Sequence, residues 1–329
     1  MDKTLLYLFN NLGLPFVLRH YKQKNKLATV LCLHRISDQE SAAWPPMKIN
    51  DFKKLLEYIR IHYSPTTIEG LSTFSNKKPA IVLSFDDGFK DFLDNGLPLL
   101  KQYNIPCNLN VVTRCLDNNF SIWTQRLNDI FDDIWKKNKP VKVSIQGFKI
   151  QVDSFEKKNI VSCTLRVFHQ LFDKPEDYVT AFLDELESSF SSISTPAPMM
   201  NWKDLNDALH LNEIELGSHS CSHYTLTNIE DEQKLKDEIV NSKLYIEEKT
   251  GRKVNIFAAP NGKYNEKILS ICKEAGYKHF LTVDEKLITT EKYSAFAIPR
   301  ILIAYANHNE NMLKVENFQN HIKQLLKRK

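Results

Sequence analysis

Short apolar runs of strand length alternate with segments of helical periodicity in the first third of the chain. Strands are predicted over residues 28–33, 80–85 and 107–112, because each run is apolar and only a few residues long. Helices are predicted over residues 52–61 and 89–102, where apolar positions recur every three to four residues. This alternation favours a parallel α/β sheet or barrel.

The same alternation returns after residue 201 and continues almost to residue 290. The periodicity again switches between helix and strand, which extends the predicted sheet. The predicted helices are 202–209, 231–250 and 265–275, and the predicted strands are 214–216, 254–259 and 279–283.

The stretch between these two parts has a different pattern and is predicted to be an insertion, residues 124–200, in a main domain of residues 26–310. Apolar and polar residues alternate on both sides of Gln146 and Gly147, which predicts a β-hairpin over 141–152. Residues 157–190 are predicted to be largely helical, and the Ser- and Pro-rich residues 191–198 to form a linker.

Both ends of the chain carry apolar residues beside basic ones. Residues 4–17 have helical spacing that Pro15 is expected to end, and a basic tract follows, so residues 1–25 form a predicted N-terminal helix with a basic tract. Residues 311–329 form a predicted basic C-terminal helix. Each helix either covers one end of the core or lies on a membrane surface. A liposome flotation assay that shows no binding would count against the membrane-surface alternative.

Composition and charge narrow the classes of protein further. The chain has 329 residues, of which 42% are hydrophobic and 26% charged, which excludes a disordered or fibrous protein. A net charge of +4 is too small to indicate nucleic-acid binding. Six scattered cysteines without a C-x-x-C pair indicate reduced thiols. With no recognisable secretory signal or membrane-spanning run, a cytoplasmic location is expected.

Two polar clusters follow predicted strands and are candidates for chemistry. Ser-Phe-Asp-Asp-Gly ends the strand at 80–85, and His-Ser-Cys-Ser-His, residues 219–223, follows the strand at 214–216. Taken singly, the first is a common turn with an Asp cap, and the second is a pair of unrelated polar residues. Together, two histidines and a carboxylate at the carboxyl ends of strands match a metal site with positions open for water.

In combination, these motifs resemble the polysaccharide deacetylase family, which contains the NodB homology domain and is also called carbohydrate esterase family 4. The resemblance continues through Asn-Trp-Lys-Asp-Leu at 201–205, Phe-Ala-Ala-Pro-Asn-Gly at 257–262 and Lys-Glu-Ala-Gly-Tyr at 273–277. It implies a distorted (β/α) barrel that hydrolyses an N-acetyl group with the help of a divalent metal. Zinc is expected, and Co, Mn and Ni suit the same ligands.

The resemblance also implies roles for individual residues. Asp87, with His219 and His223, is expected to ligate the metal, and Asp86 is expected to be the general base. Pro260 and Asn261 fall in the groove-wall motif, in which the backbone N–H of the Asn261 position helps to hold the oxyanion. The early histidine, His34, is expected to be the general acid.

The sequence departs from the family pattern at two points. The groove motif of the family normally begins with an Arg that orients the catalytic Asp, and here that position is Ala258. Arg300 is the candidate replacement, with a surface Arg at a strand start as the alternative. The late-motif histidine is also missing unless His308, in a predicted loop, replaces it.

Two tryptophans and one cysteine complete the candidate residues. Trp44 and Trp123 are expected to line a sugar groove, although aromatic residues are as often simple packing. Cys221, inside the His motif, is expected to be a small packed side chain and not a ligand.

The predicted function is a cytoplasmic, metal-dependent N-deacetylase that acts on an acetamido sugar of a saccharide or glycoconjugate precursor, lipid-linked or nucleotide-linked. The alternatives are removal of a different acyl group, such as formyl, and a saccharide-binding pseudoenzyme. The expected partner is an N-acetylated saccharide, with peripheral membrane contact as an extension and no role for nucleic acid. The sequence does not indicate an oligomeric state.

Overall fold

The strands of the main sheet are short and almost completely buried. A computed structural model describes residues 13–117, 120–138, 140–189, 196–210, 213–291, 293–303 and 308–318. The longer strands of the main sheet are β1 (Leu27–Leu33), β3 (Ala80–Phe85), β4 (Cys107–Val111), β7 (Ile214–Ser218), β8 (Ile256–Ala258) and β9 (His279–Leu281). Three two-residue strands join them: β2 (Ser64–Pro65), β10 (Ile288–Thr289) and β11 (Ile301–Leu302).

The six longer strands run parallel in the order β1-β3-β4-β7-β8-β9. Strand β10 pairs antiparallel with the first residues of β1, whereas β11 pairs parallel with its last residues. Ile298 makes a parallel bridge to Leu281 of β9, and three residues later Ile301 pairs with Leu31 of β1. The segment 298–303 therefore connects the two ends of the sheet, and the fold is a distorted (β/α) barrel, as predicted.

Helices cover the outside of the sheet. Those of the main domain are α1 (Leu14–Lys24), α2 (Ile49–His62), α3 (Leu97–Tyr103), α4 (Thr113–Asp117), α8 (Trp202–Leu209), α9 (Glu232–Lys236), α10 (Ser242–Thr250), α11 (Glu266–Glu274) and α12 (His308–Val315). A π-helical turn precedes α3 and another joins α9 to α10. Helix α8 begins with a capping box between Asn201 and Asp204, which stabilises its first turn.

The alternation of side chains along the strands divides the apolar residues between two sides of the sheet. Small and β-branched side chains such as Ala28, Val30 and Ala80 form one buried cluster. Larger residues such as Leu31 and Leu83 belong to the main cluster, which includes apolar side chains of the outer helices. Period-two patterning of this kind is expected of a barrel, whose narrow interior accepts only limited volume.

The predicted insertion contains three helices and a hairpin. The helices are α5 (Trp123–Lys137), α6 (Lys157–Phe172) and α7 (Glu176–Ser188), and the hairpin consists of β5 (Val141–Ile145) and β6 (Phe148–Val152). The predicted hairpin therefore forms, with Gln146 and Gly147 at its turn. Apolar residues from all five elements make up a hydrophobic cluster of their own. Most of the predicted linker, 191–195, lies outside the described residues.

The prediction for the N-terminal helix was wrong in the part that the structure describes. Helix α1 spans Leu14–Lys24, so Pro15 begins a helix and does not end one. Proline is tolerated in the first turn because the N–H that it lacks would have no helical partner there. The basic tract accordingly lies largely within a helix. Residues 1–12 lie outside the described part of the chain.

The C-terminal prediction is covered only in part. Helix α12 begins at His308, so the expectation that this histidine lies in a loop was wrong. Residues 319–329, which hold most of the predicted basic helix, lie outside the described residues.

Among the helices that the structure describes, none combines the length and apolar character needed to cross a bilayer.

Candidate metal centre and catalytic cavity

Strand register brings the predicted site residues to one end of the barrel. Leu33 pairs with Phe85, so His34 and Asp86 follow at the same level. Val111 pairs with Ser218, the residue before His219. Parallel strands end at a common edge, and this carboxyl edge is where α/β barrels place their chemistry.

Asp87, His219 and His223 converge on one point. Asp87 Oδ1 lies 3.5 Å from His219 Nε2 and 3.3 Å from His223 Nε2, and all three side chains are buried. One ligand atom from each residue lies within 4.8 Å of those of the other two. In a tetrahedral zinc site the ligand atoms lie about 2.0–2.1 Å from the metal, and two ligand atoms are then about 3.3–3.4 Å apart. The two measured distances therefore fit such a site.

The hydrogen bonds around these three residues also fit a cation. His219 Nδ1 lies 2.8 Å from the Ala258 carbonyl oxygen, an acceptor, so Nδ1 carries the proton and Nε2 presents a lone pair towards Asp87. Asp87 Oδ1 has no hydrogen-bond partner among the described residues. An imidazole lone pair facing a carboxylate oxygen is repulsive unless a proton or a cation lies between them.

Electrostatics at the three residues follow from burial. Burial and then the neighbouring Asp86 carboxylate raise the pKa of Asp87 well above its usual range. Burial lowers the pKa of His219 and, with the help of His219 itself and His34, lowers that of His223 further. The histidines are thus kept neutral, which is the state in which they bind metal.

Asp86 has different surroundings from Asp87. Its Oδ1 accepts hydrogen bonds from Arg300 Nη1 and from Asn110 Nδ2, each at 2.7 Å. Asp86 is 3% exposed and Arg300 is 1% exposed, so the alternative of a surface arginine at position 300 is wrong. Burial alone would raise the pKa of Asp86, but the Arg300 guanidinium and then His219 outweigh it and hold that pKa well below its usual range.

A row of polar side chains supports this ion pair inside the sheet. Ser84 donates to Asn108 Oδ1 at 2.6 Å, and Asn110 donates to the same oxygen at 2.9 Å. Arg300 Nη1 also donates to Ser84 Oγ at 3.0 Å. Sequence reasoning missed these residues, although two asparagines alternating within a buried strand were a usable signal, since buried polar groups need partners.

His34 lines the same cavity and comes close to Asp86. His34, Cys32 and Asp86 each place one potential ligand atom within 4.8 Å of those of the other two. Burial lowers the pKa of His34 to about 4, although Asp86 acts in the opposite direction. Desolvation thus outweighs the attraction of the nearby carboxylate, and His34 is neutral at neutral pH.

The turn that carries both histidines is held in an uncommon backbone conformation. Ser220 and His223 have φ values of 65° and 64°, and Asp87 has a φ of 76°. Positive φ is costly for residues other than glycine and persists where surrounding contacts impose it. Here the Ser220 hydroxyl accepts the His223 N–H at 3.0 Å, which fixes the second histidine relative to the first.

Glu238, which sequence reasoning did not identify, holds the middle of this turn. Its carboxylate accepts the backbone N–H groups of Cys221 and Ser222, each at 3.0 Å, and the Ser222 hydroxyl at 2.7 Å. Glu238 lies in the π-helical turn between α9 and α10 and is buried. No pattern in the sequence indicated this contact, which joins residues 16 positions apart.

Glu238→Gln should weaken metal binding about 10- to 100-fold, the usual cost of losing a group that orients metal ligands. The glutamine amide keeps one acceptor oxygen, but its NH₂ group replaces the other. A donor then faces a donor, and at least one hydrogen bond to the histidine turn is lost. Titration with Zn²⁺ monitored by calorimetry measures the effect. Glu247→Gln is the matched control, because Glu247 accepts the Val254 N–H at 2.9 Å in a different loop. Equal affinities in the two variants would contradict the role of Glu238.

The groove-wall motif forms a tight turn after β8. Asn261 lines the cavity with a φ of 55°, and its Nδ2 donates to Thr225 Oγ1 at 3.0 Å. Gly262 has a φ of 66°, and a Cβ atom there would lie 2.1 Å from Val283 Cγ2, so this position requires glycine. Pro260 is buried behind the turn, so of the two predicted residues Asn261 alone reaches the cavity among the described lining residues.

One cavity of about 430 Å³, which the insertion helps to enclose, is lined by the candidate metal ligands and by His34, Asp86 and Arg300. Trp44 lines it, as predicted for a groove residue. Trp123 is buried and stacks on Phe168 with ring centroids 5.4 Å apart, so it supports the wall from behind. Cys221 directs its sulfur to the Asp237 carbonyl oxygen at 3.6 Å, which agrees with a packed side chain.

Comparison with known proteins identifies a family. A family model described as polysaccharide deacetylase matches residues 74–280, well over half of the chain. The matched region begins before the Asp86–Asp87 motif and ends within β9, so it includes both histidines of the candidate metal site. No curated protein sequence matches significantly.

Solved structures with a similar fold have little sequence in common with this chain. A deacetylase from Streptococcus pyogenes, PplD in complex with acetate, has a TM-score of 0.57 at 16% identity and covers 88% of this chain and 98% of its own. A polysaccharide deacetylase from Bacillus cereus has a TM-score of 0.58 at 14% identity and covers 88% and 69%. IcaB from Ammonifex degensii has a TM-score of 0.55 at 14% identity and covers 88% and 96%. These likenesses concern the fold.

Proposed function

The chain belongs to the polysaccharide deacetylase family, and from this premise we propose that it is a metal-dependent hydrolase that removes the N-acetyl group of an amino sugar. The observation that carries the proposal is a pair of adjacent carboxylates in opposite environments. Asp87 faces two histidines at 3.3–3.5 Å, whereas Asp86 forms an ion pair with buried Arg300. Carboxylates with such different surroundings are suited to different roles.

The residues divide the work of amide hydrolysis. Asp87, His219 and His223 would hold a divalent cation, which when bound supplies Lewis acidity at the amide carbonyl and activates water at neutral pH. Asp86 takes the proton from the attacking water, and Arg300 keeps this base ionised beforehand. The backbone N–H of Asn261 is proposed to hold the oxyanion, as the family resemblance implies.

The departing amine requires a proton, and His34 is proposed to deliver it. Because its pKa is about 4, His34 is neutral before reaction. The proton must therefore arrive during turnover, and Asp86, which has just taken one from water, lies within reach. General acid–base help of this kind contributes about 10²–10⁴-fold to the rate. His308 stays the alternative acid.

The substrate is proposed to be an N-acetylated sugar of a precursor, either lipid-linked or nucleotide-linked. This extension depends on the cytoplasmic location expected from the sequence, since a finished extracellular polysaccharide would be out of reach there. Peripheral membrane contact is part of the same extension, and helix α1 exposes Phe16 and Val17 beside basic residues.

Two other functions are distinguished by specific observations. Removal of a formyl group would need the same residues, and the substrate series below separates the two acyl groups. A saccharide-binding pseudoenzyme would have no need of an ionised carboxylate beside the metal. The Asp86–Arg300 pair, with its 2.7 Å hydrogen bond inside the barrel, therefore favours catalysis.

The experiment is to measure acetate and formate release from N-acetyl and N-formyl sugars, including chitooligosaccharides and lipid-linked N-acetyl sugars. Treatment with a chelator, followed by gel filtration, should remove nearly all activity. Stoichiometric Zn²⁺ should restore it, with Co²⁺, Mn²⁺ and Ni²⁺ tested in parallel. Unchanged acetate release from protein whose metal content has fallen to a trace would contradict the metal-dependent mechanism.

A further inference from the structure

Helix α6 of the insertion has two apolar faces, and one of them is directed into the catalytic cavity. Leu165, Phe168, His169 and Phe172 line the cavity and are spaced i, i+3, i+4 and i+7, which places them on one face of the helix. The other apolar face, which includes Ile160, Val167 and Leu171, is buried in the core of the insertion. Phe168 and Phe172 of the first face also pack against the edge of this core, whereas Leu165 is not part of it. The cavity side of the helix is therefore apolar beyond what the core of the insertion requires.

The apolar wall lines the same cavity as the three candidate metal ligands. Within the cavity, Trp44 packs edge-on against Phe168 with ring centroids 5.5 Å apart. At the mouth, Leu165 is 36% exposed and Val283, from the loop after β9, is 37% exposed. Both also line the cavity. A group that covers this wall therefore begins at the reaction centre and leaves through the mouth.

The arginines that line the cavity are already paired with carboxylates of the protein. Among the described lining residues, the two arginines are Arg35, paired with Asp91 at 2.8 Å, and Arg300, paired with Asp86. No lysine is among the lining residues that the structure describes. A pyrophosphate would require cationic partners, and a row of sugar units would require many polar ones. Lys263 Nζ lies 5.4 Å from the ring centroid of Phe172, but the wall itself is apolar, so it suits a hydrocarbon chain better than a pyrophosphate or a row of sugar units.

We propose that this wall binds a hydrocarbon chain joined to the anomeric position of the amino sugar, so that the substrate is a lipid-linked sugar. The inference rests on the proposed function, since it takes the sugar at the metal centre as given. The sugar occupies the polar floor, and its chain passes along α6 and Val283 to the outside. A chain that leaves through the mouth can stay attached to a lipid surface, whereas an acyl chain on the nitrogen would be released with the acid product.

The test measures binding to the zinc-loaded enzyme of three glucosamine derivatives that contain no amide and cannot be hydrolysed. They are the methyl glycoside, the octyl glycoside, and the methyl glycoside with an octyl group on its nitrogen, each below its micelle concentration. Calorimetry should show the octyl glycoside binding at least about tenfold more tightly than the methyl glycoside, because the wall removes methylene groups from water. The N-octyl compound should gain much less.

Leu165→Gln is the informative variant, since a residue that is 36% exposed tolerates a polar side chain without loss of the fold. It should reduce the advantage of the octyl glycoside at least about threefold, as expected when apolar contact area is lost. Leu244→Gln is the matched control, because Leu244 is 56% exposed on helix α10 and does not line the cavity. Val283→Thr, which preserves side-chain shape, provides a second variant at the opposite side of the mouth.

Several outcomes would overturn the proposal: equal affinities for the octyl and methyl glycosides, a larger gain from the N-octyl group, or equal effects of Leu165→Gln and Leu244→Gln. Because binding is measured without turnover, these outcomes are independent of whether acetate is released. Failure of the proposed deacetylation would appear in the acetate assay alone, and failure of the lipid-binding wall would appear in calorimetry alone.

Discussion

Asp86→Asn should lower kcat/KM by about 10³-fold, within the range of roughly 10²–10⁴ that a general base contributes. The amide preserves the shape of the side chain and can still accept the Arg300 hydrogen bond, but it cannot take a proton from water. Because Asp87, His219 and His223 are unchanged, the variant should still bind one Zn²⁺. Steady-state acetate release and metal analysis of the same preparation measure the two quantities together.

Glu316→Gln is the control for neutralising a buried carboxylate. Glu316 pairs with Arg19 at 3.1 Å and with Lys22 at 3.6 Å, where α1 packs near α12, and it does not line the cavity. We expect its kcat/KM to stay near that of the unmodified enzyme. If Asp86→Asn retained metal and still released acetate at the original rate, Asp86 would not be the base.

Arg300→Met should destabilise the fold by about 3–5 kcal/mol, the usual cost of removing one partner of a buried ion pair. The loss arises because Asp86 would be left as a charge in the barrel interior, with only neutral donors, Asn110 and the Cys32 thiol, among the described side chains that donate to it. Denaturation in urea measures the change. The double variant Arg300→Met/Asp86→Asn should recover part of the loss, since it removes the unpaired charge. A double variant less stable than Arg300→Met would show that the pair is not the cause.

The same substitution should change the pH profile. In the folded protein the pKa of Asp86 is held below its usual range, so the pair stabilises the fold above the unfolded pKa of about 3.9 and loses this effect under more acid conditions. Without Arg300, the burial of Asp86 would raise that pKa. The acid limb of kcat/KM should therefore move to higher pH in Arg300→Met. Arg126→Met, which breaks an ion pair with Asp184 outside the cavity lining, should leave it in place.

The local parts of the site were predictable because the sequence marks the ends of strands. Apolar runs that end in Asp86–Asp87 or lead to His219 indicate side chains at the carboxyl edge of a sheet, and parallel pairing then brings them together. Arg300 could be proposed for a different reason, since Ala258 occupies the position at which the family pattern has an Arg, and a replacement cation had to be sought elsewhere in the sequence. The sequence does not show, however, that Arg300 pairs with Asp86. The two residues meet because the segment 298–303 closes the barrel between β9 and β1.

What the sequence did not reveal depends on contacts between distant segments. Glu238 hydrogen-bonds to the histidine turn from a helical segment. The periodicity of that segment predicts a helix but does not indicate which of its side chains contacts the turn. Trp123 was expected at a groove surface, but the fold of the insertion places Phe168 in front of it. Burial lowers the pKa of His34, and the extent of that burial cannot be predicted from the residues next to it in the sequence.

The position of Arg300 on the segment that joins β9 to β1 has a consequence for the biosynthesis of the enzyme. Asp86 and Arg300 are separated by 214 positions, so the base is synthesised long before the guanidinium that tunes it. A nascent chain still lacking residues 298–303 has neither the closing strand nor this cation, and its carboxylate faces the interior uncompensated. On the proposed mechanism, a molecule truncated before that segment would therefore be inactive as well as incompletely folded.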